Sequence, residues 1–226
     1  MIHSHENGRS PCPGINTFAN HGFIPRDGFN VSFAEIRAGI VEAANFHPSL
    51  IDSIIAAGVG GSTTEYDDTI HLDDLAIHGF PGEVDGSMSR NDIFFGDNHS
   101  FNATIWDMSF AHFHNPVVSV QDAAQVCVDR FAADDAANPE FDPKSPEGTP
   151  PMTVCFGSAG LYMLLMRDAD GNPVRDWINT FFRHERLPEG WAKWPTPVTA
   201  DDLNASLEAV MAAASGLTPS VRRHLL

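Results

Sequence analysis

Helix starts are written out along this chain, while strand signals are scarce and short. Ser32-Phe33-Ala34-Glu35 is a capping box, in which the serine hydroxyl takes the N3 amide and the glutamate returns to the serine N–H. Behind it Ile36, Ile40, Val41 and Ala44 form one apolar stripe. A helix is expected from Pro48 to Ala57, ended by Gly58 and the Gly60-Gly61 pair. Ser119 starts another, toward Ala137. Prolines between Pro139 and Pro151 argue against a helix there and for a surface loop. Cys155 to Met166 is apolar enough for a buried helix. Val174 to His184 is amphipathic, with Trp177, Ile178, Phe181 and Phe182 on its apolar side. Thr199 caps a last helix, Ala200 to Ser215. A short helix, Ile15 to His21, opens the series. The pattern predicts an all-α fold: a single compact helical domain over residues 1–226, with few or no short strands. Residues 1–9 read as a flexible lead and 216–226 as a tail.

Composition bounds the partners. Thirteen basic and 30 acidic residues give a formal charge of −17, which repels nucleic acid and anionic membrane surfaces. Hydrophobic residues make up 42%, enough for a core that buries a cofactor. No window approaches the roughly 18 apolar residues of a membrane span. The start of the chain lacks an apolar signal-peptide region. The tripeptides at Asn30, Asn98, Asn102 and Asn204 match an N-glycosylation acceptor, a motif too common to decide a compartment. Cys12, Cys127 and Cys155 include no C-x-x-C, so neither a zinc site nor a disulfide framework is indicated.

Pro11-Cys12-Pro13-Gly14 places a thiol at the start of the first helix. Pro13 suits a first-turn position, where its missing N–H costs nothing. The free N–H groups of Gly14 and Ile15 then point back at the sulfur, and with the helix dipole they favour the thiolate. A thiolate held by amide hydrogen bonds is what a cysteine-ligated haem requires. In isolation the motif describes a buried, inert cysteine. It is not isolated.

Ser10 to Gly28 reads S-P-C-P-G-I-N-T-F-A-N-H-G-F-I-P-R-D-G. Gly82 to Arg90 reads G-E-V-D-G-S-M-S-R, and Phe94 to Asn102 reads F-F-G-D-N-H-S-F-N. Together these blocks resemble the fungal haem-thiolate peroxidase family, which contains chloroperoxidase and the unspecific peroxygenases. The size resembles that of the short peroxygenases. The resemblance runs in scattered blocks from Ser10 to Pro195. It implies a helical domain enclosing haem b, with Cys12 as the iron ligand and Pro13, Gly14 and Ile15 beside it. It also implies Mg²⁺ next to a haem propionate, bound by Glu83, the Val84 carbonyl and Ser87, all oxygen donors as that ion demands. Once Cys12 is given to iron, Cys127 and Cys155 are free to pair, although two such cysteines more often remain buried thiols. Relatives are often secreted, whereas the visible start of this chain carries no leader.

The departures from the family pattern concern proton transfer. Where short relatives place His between Glu and Asp, this chain has Val84, which cannot donate, accept or titrate. The family's later acid–base Glu falls in a string resembling F-G-E-x-A-L-Y. Here Phe156 to Tyr162 reads F-G-S-A-G-L-Y, so Ser158 stands in its place. A serine hydroxyl does not titrate near neutral pH. Asp85 is a candidate replacement base. His71, His78, His99, His112, His114 and His184 are others, each more ordinary as a surface or hydrogen-bonded side chain. His99 reads as structural, and His112-Phe113-His114 supplies two ligands where a metal site needs more.

The resemblance implies a peroxygenase or peroxidase that oxidises small apolar organic substrates with hydrogen peroxide through a ferryl intermediate. The expected pocket is lined from the Ser158 helix, with Leu161 and Tyr162, and by some of Phe80, Phe94, Phe95 and Phe101. Val84 and Ser158 keep two alternatives open. One is a biosynthetic haem-thiolate enzyme with other chemistry, such as an isomerase, dehydratase or coupling enzyme; the other is a non-catalytic haem-binding protein. No nucleic-acid or membrane partner is expected, and the protein reads as a monomer or homodimer.

Overall fold

A computed structural model describes residues 8–78, 84–143 and 150–220. Its helices are α1 (Pro13–His21), α2 (Phe33–Ala44), α3 (Pro48–Gly58), α4 (Ala103–Phe110), α5 (Val120–Ala137), α6 (Pro151–Leu165), α7 (Arg175–His184) and α8 (Ala200–Ala214). The strands described are two-residue pieces, β1 (Val31–Ser32) and β2 (Thr69–Ile70), paired antiparallel with Val31 opposite Ile70. The all-α expectation holds.

The caps read from the sequence are the ones that form. Ser32 accepts from the Glu35 N–H while Glu35 returns to the Ser32 N–H, and Thr199 and Asp202 repeat the arrangement at α8. Ser119 and Asp122 do the same at α5. Two boundaries move. α1 starts at Pro13, with Cys12 itself in the cap position. α6 starts at Pro151, ahead of the expected Cys155, because a proline at the first helical position is preorganised for a start. α4 has no counterpart in the sequence reading; Asn102 caps it by accepting from the Thr104 and Ile105 amides.

The core is continuous among the described residues, and two helical glycines permit close approaches within it. A Cβ at Gly39 in α2 would lie 2.2 Å from the Phe23 carbonyl oxygen, so α2 rests directly on the backbone that follows α1. A Cβ at Gly160 in α6 would meet the Leu207 nitrogen and the Ser206 Oγ, each at 3.1 Å. α8 therefore lies against α6, with the Ser206 hydroxyl donating to the Gly160 carbonyl. On the other side Trp106 of α4 stacks on Phe182 of α7 at 4.3 Å and donates to Asn179.

Cys127 of α5 and Cys155 of α6 form a disulfide, with Cα atoms 5.8 Å apart. This corrects the reading of two buried thiols. Helix packing sets their proximity, and a separation of 28 residues along the chain carries no trace of it. The bridge fixes α6, the helix that carries Ser158.

Candidate active site

The start of α1 is built around the sulfur. The Cys12 N–H donates to the Ser10 hydroxyl at 2.9 Å, and the Cys12 carbonyl accepts the first helical bond from Asn16 at 3.2 Å. Asn16, fully buried, grips Ser10 from both sides: its Oδ1 accepts from the Ser10 N–H at 2.8 Å and its Nδ2 donates to the Ser10 carbonyl at 2.7 Å. The Gly14 and Ile15 amides donate to the sulfur, as the helix start predicts. Burial nevertheless pushes the thiol up, further than those amides and the nearby Arg90 guanidinium pull it down. The helix start alone therefore does not make a free thiolate, and a coordinated cation, which deprotonates a thiol outright, is what would complete it. A Cβ at Gly14 would sit in ordinary contact with Cys12 Sγ at 3.7 Å and Phe181 Cζ at 3.4 Å, so glycine leaves about one methyl group's room beside the sulfur.

Above the sulfur lies a cavity of about 230 Å³. Pro13, Gly14 and Ile15 share its floor with Cys12. Val84, Ser87 and Arg90 line it from the loop ahead of α4, and Ser158, Leu161 and Tyr162 line it from α6. The structure thus brings together three blocks of sequence that are far apart in the chain. A second, aliphatic cavity of about 720 Å³ shares Cys12, Ile15 and Ile40 with the first and continues between α2, α3 and the start of α8.

Other expected residues lie elsewhere. Asp85 is not among the cavity residues; its buried carboxylate accepts from the Ile93 amide at 3.3 Å and from Asn138 Nδ2 at 3.1 Å. Burial pushes its carboxyl up, and Asp92 adds to the shift. None of the candidate histidines lines the cavity among the described residues. His99 binds the Arg9 carbonyl through Nε2, the structural role expected of it, and His112 pairs with Asp129 at 3.2 Å. Of the expected phenylalanines, Phe94, Phe95 and Phe101 do not line the cavity, Phe80 lies outside the described residues, and aliphatic residues such as Ile40, Ile51, Ile54 and Val154 supply much of the lining. Phe94 and Phe95 are 42% and 49% exposed on the surface, and Phe101 packs under Arg90 and Arg183. The aromatic side chains that do reach the cavity include Phe46, Phe181 and Phe182.

Glu83 and Phe80 lie outside the described residues. Ser87 Oγ accepts from the Ser89 and Arg90 amides, at 3.3 and 3.2 Å, which makes it the pivot of a turn. No cluster of three His, Cys, Asp or Glu side chains fit to hold a metal ion occurs among the described residues.

Tyr162 lines the cavity as expected, but two polar features there went unread in the sequence. Tyr162 buries its hydroxyl without a hydrogen-bond partner, and burial pushes that phenol up. Arg90 lines the same space with its side chain only 3% exposed, paired with Glu185 at 2.6 Å. The arginine stood inside the second sequence block. What gives it meaning is a glutamate 95 residues away, which no local motif signals.

The sequence model of peroxidase, family 2, matches residues 3–196. An aromatic peroxygenase of Coprinellus radians is 36% identical over 206 residues, covering 80% of this chain and 77% of that protein. An aromatic peroxygenase of Cyclocybe aegerita is 28% identical over 221 residues, 89% of this chain and 59% of the relative. A chloroperoxidase of Leptoxyphium fumago is 29% identical over 243 residues, with coverages of 94% and 61%. The chain spans about three fifths of the length of these last two proteins.

Proposed function

This chain belongs to peroxidase family 2, the fungal haem-thiolate peroxidases, and from that premise we propose that it oxidises apolar organic molecules with hydrogen peroxide at a haem iron held by Cys12. One observation carries the reading. The Cys12 sulfur, with two backbone amides aimed at it, lines an apolar cavity that α6 also lines with Ser158. The residues present fit a porphyrin: a soft anionic ligand, room beside it at Gly14, aliphatic walls and a buried guanidinium.

Bound there, haem supplies the oxidising chemistry, and the thiolate's electron donation favours O–O cleavage. The protein's own part is divided between the walls. Gly14 and Ile15 N–H groups orient the sulfur and stabilise its charge. Ile40, Ile51 and Val154 exclude water and accept apolar substrate. Ser158 offers a hydroxyl that can hold peroxide or water by hydrogen bonds but cannot carry a proton away as a base. Val84 contributes shape alone. Asp85 is spoken for by Ile93 and Asn138, so its part is to hold the Val84–Arg90 loop. Magnesium at Glu83, the Val84 carbonyl and Ser87 rests on the sequence string alone, and elemental analysis of the purified protein checks it.

A second reading is favoured by the lining of the cavity, which contains no carboxylate and no imidazole among the described residues. In it the fold and haem are kept, and a single substrate supplies the proton-transfer group for a biosynthetic step. Cys12→Ala tests both readings. The reduced carbonyl complex of the unaltered protein is expected to show the strongly red-shifted Soret band of thiolate-ligated iron, and the variant to lose it. Retention of that band in Cys12→Ala excludes this cysteine as the ligand.

A further inference from the structure

We propose that the Arg90–Glu185 ion pair sets the electron-donating strength of the Cys12 sulfur, with Arg90 as a fixed positive charge beside the ligand and Glu185 as its partial neutraliser. The proposal rests on Cys12 being the iron ligand. It assigns a positioning role to the pair, which nothing above gives it.

The pair is built into the protein. Arg90 comes from the loop after Val84 and is held on every side. Nη2 donates to Glu185 Oε1 at 2.6 Å, Nη1 to Ser89 Oγ at 2.9 Å and Nε to the His99 carbonyl at 3.3 Å, while Phe101 lies beneath the guanidinium at 5.7 Å. Glu185 caps the end of α7 in the left-handed region, at φ 47°, a conformation a residue with a Cβ adopts only when its surroundings compel it. Those surroundings include α1. Asn16 Nδ2 donates to Glu185 Oε1 at 2.8 Å, and Asn20 Nδ2 donates to the Glu185 carbonyl at 3.0 Å. Asn16 is the same side chain that grips the Ser10 lead-in to Cys12. One carboxylate oxygen is therefore shared between the arginine in the cavity wall and the helix that bears the sulfur.

Electrostatics give the arrangement a direction. Arg90 attracts charge onto the Cys12 sulfur, and Glu185 opposes it. Both act across an apolar region where screening by water and salt is weak. A thiolate steadied by a cation donates less to iron, and charge around a ligating sulfur tunes the iron's potential. Removing the arginine should leave a stronger donor and favour ferric iron. Removing the glutamate should leave the arginine unopposed and favour ferrous iron.

The opposite signs separate this role from a merely structural tie, whose loss would disturb the site the same way from either end. The experiment measures the ferric/ferrous midpoint potential of the haem-loaded protein by spectroelectrochemistry, with the reduced carbonyl spectrum as control. Glu185→Gln is expected to raise the potential, Arg90→Met to lower it, and Arg90→Lys, which keeps the charge, to stay closer to the unaltered protein than Arg90→Met. Shifts of the same sign in Glu185→Gln and Arg90→Met, or no shift in either, overturn the proposal. If Arg90→Met does not fold, Glu185→Gln decides by itself: a rise supports the proposal, and a fall or no change overturns it. An unaltered protein without the red-shifted carbonyl band overturns the ligand assignment and this proposal together. A normal band with same-sign shifts overturns this proposal alone.

Discussion

The two walls of the cavity follow opposite rules. On the α1 side the polar groups around the sulfur are tightly engaged, although the buried Thr17 hydroxyl has no partner. Ser10, Cys12 and Asn16 bond one another, Asn16 reaches Glu185, and Glu185 reaches Arg90. On the α6 and Val84 side the lining is nearly all apolar. Ser158 presents a single hydroxyl, and the Tyr162 hydroxyl has no partner. A buried hydrogen-bonded network is costly to disturb and holds its geometry, whereas an apolar wall tolerates exchange of side chains. The contrast teaches that the apparatus for holding an anionic sulfur is complete here, while that for moving protons is stripped to one serine. The premise that the walls act independently can be broken or sharpened by experiment.

The largest effect is expected from rebuilding the bare wall. Val84→His with Ser158→Glu restores the two groups of the family pattern. General acid–base assistance is worth roughly 10²–10⁴-fold, so peroxide-dependent turnover should rise by that order. The thiolate carbonyl band should not move, because the α1 wall is untouched. No gain in turnover, together with loss of activity on a native substrate, would select the reading in which substrate provides the proton.

How much of this was legible beforehand depends on the range of the interaction. Caps are local, so Ser32, Ser119 and Thr199 were readable as helix starts, and Pro13 placed Cys12 at the head of α1. Ser158 was readable as a member of the site because it sits in a short string with neighbours of the expected type. α4 was missed because its eight residues are too few to display a period. The orientation of Asp85 was misjudged because adjacent residues in an irregular loop point apart: Val84 lines the cavity and Asp85 turns toward Asn138. Phe94 and Phe95 were misplaced for a related reason. Composition counts aromatic residues without saying that Phe94 and Phe95 face outward. The disulfide and the Arg90–Glu185 pair depend on helix packing and were invisible.

The disulfide provides the next test, because it anchors only the bare wall. Closing the 28-residue separation between Cys127 and Cys155 is worth about 3.5 kcal/mol on the loop-entropy estimate. Replacing both cysteines by alanine should lower the unfolding free energy by that order in urea titrations. Binding of apolar ligands against α6 should weaken, while the carbonyl spectrum keeps its thiolate form. A collapse of the spectrum would show that α6 and α1 are coupled, and the two-wall description would fail.

The smallest effect concerns the support beneath the Val84 loop. Asp134 of α5 pairs with Arg130 at 2.6 Å, and Arg130 Nε donates to the Ser87 carbonyl. Asp134 Oδ2 has no hydrogen-bond partner, and Asp85 and Asp92 lie close enough to repel it. Burial, with those two carboxylates, pushes Asp134 from an ordinary 3.8 up to about 7 despite the arginine. The sign follows from the raised value. The folded protein holds a proton that the unfolded chain releases, so the contribution to stability is complete below the ordinary carboxylate range. It declines as pH rises and is gone above about 7. Within that window the slope is about 1.4 kcal/mol per pH unit, shared with Asp85, whose carboxyl is also pushed up. Asp134→Asn mimics the protonated form, so it should flatten the decline between pH 5 and pH 6 and raise the melting temperature at pH 8. An unchanged slope would place the buried proton on Asp85 instead. The bare wall would then stand on a carboxylate pair in direct contact with Asn138, within the loop that carries Val84.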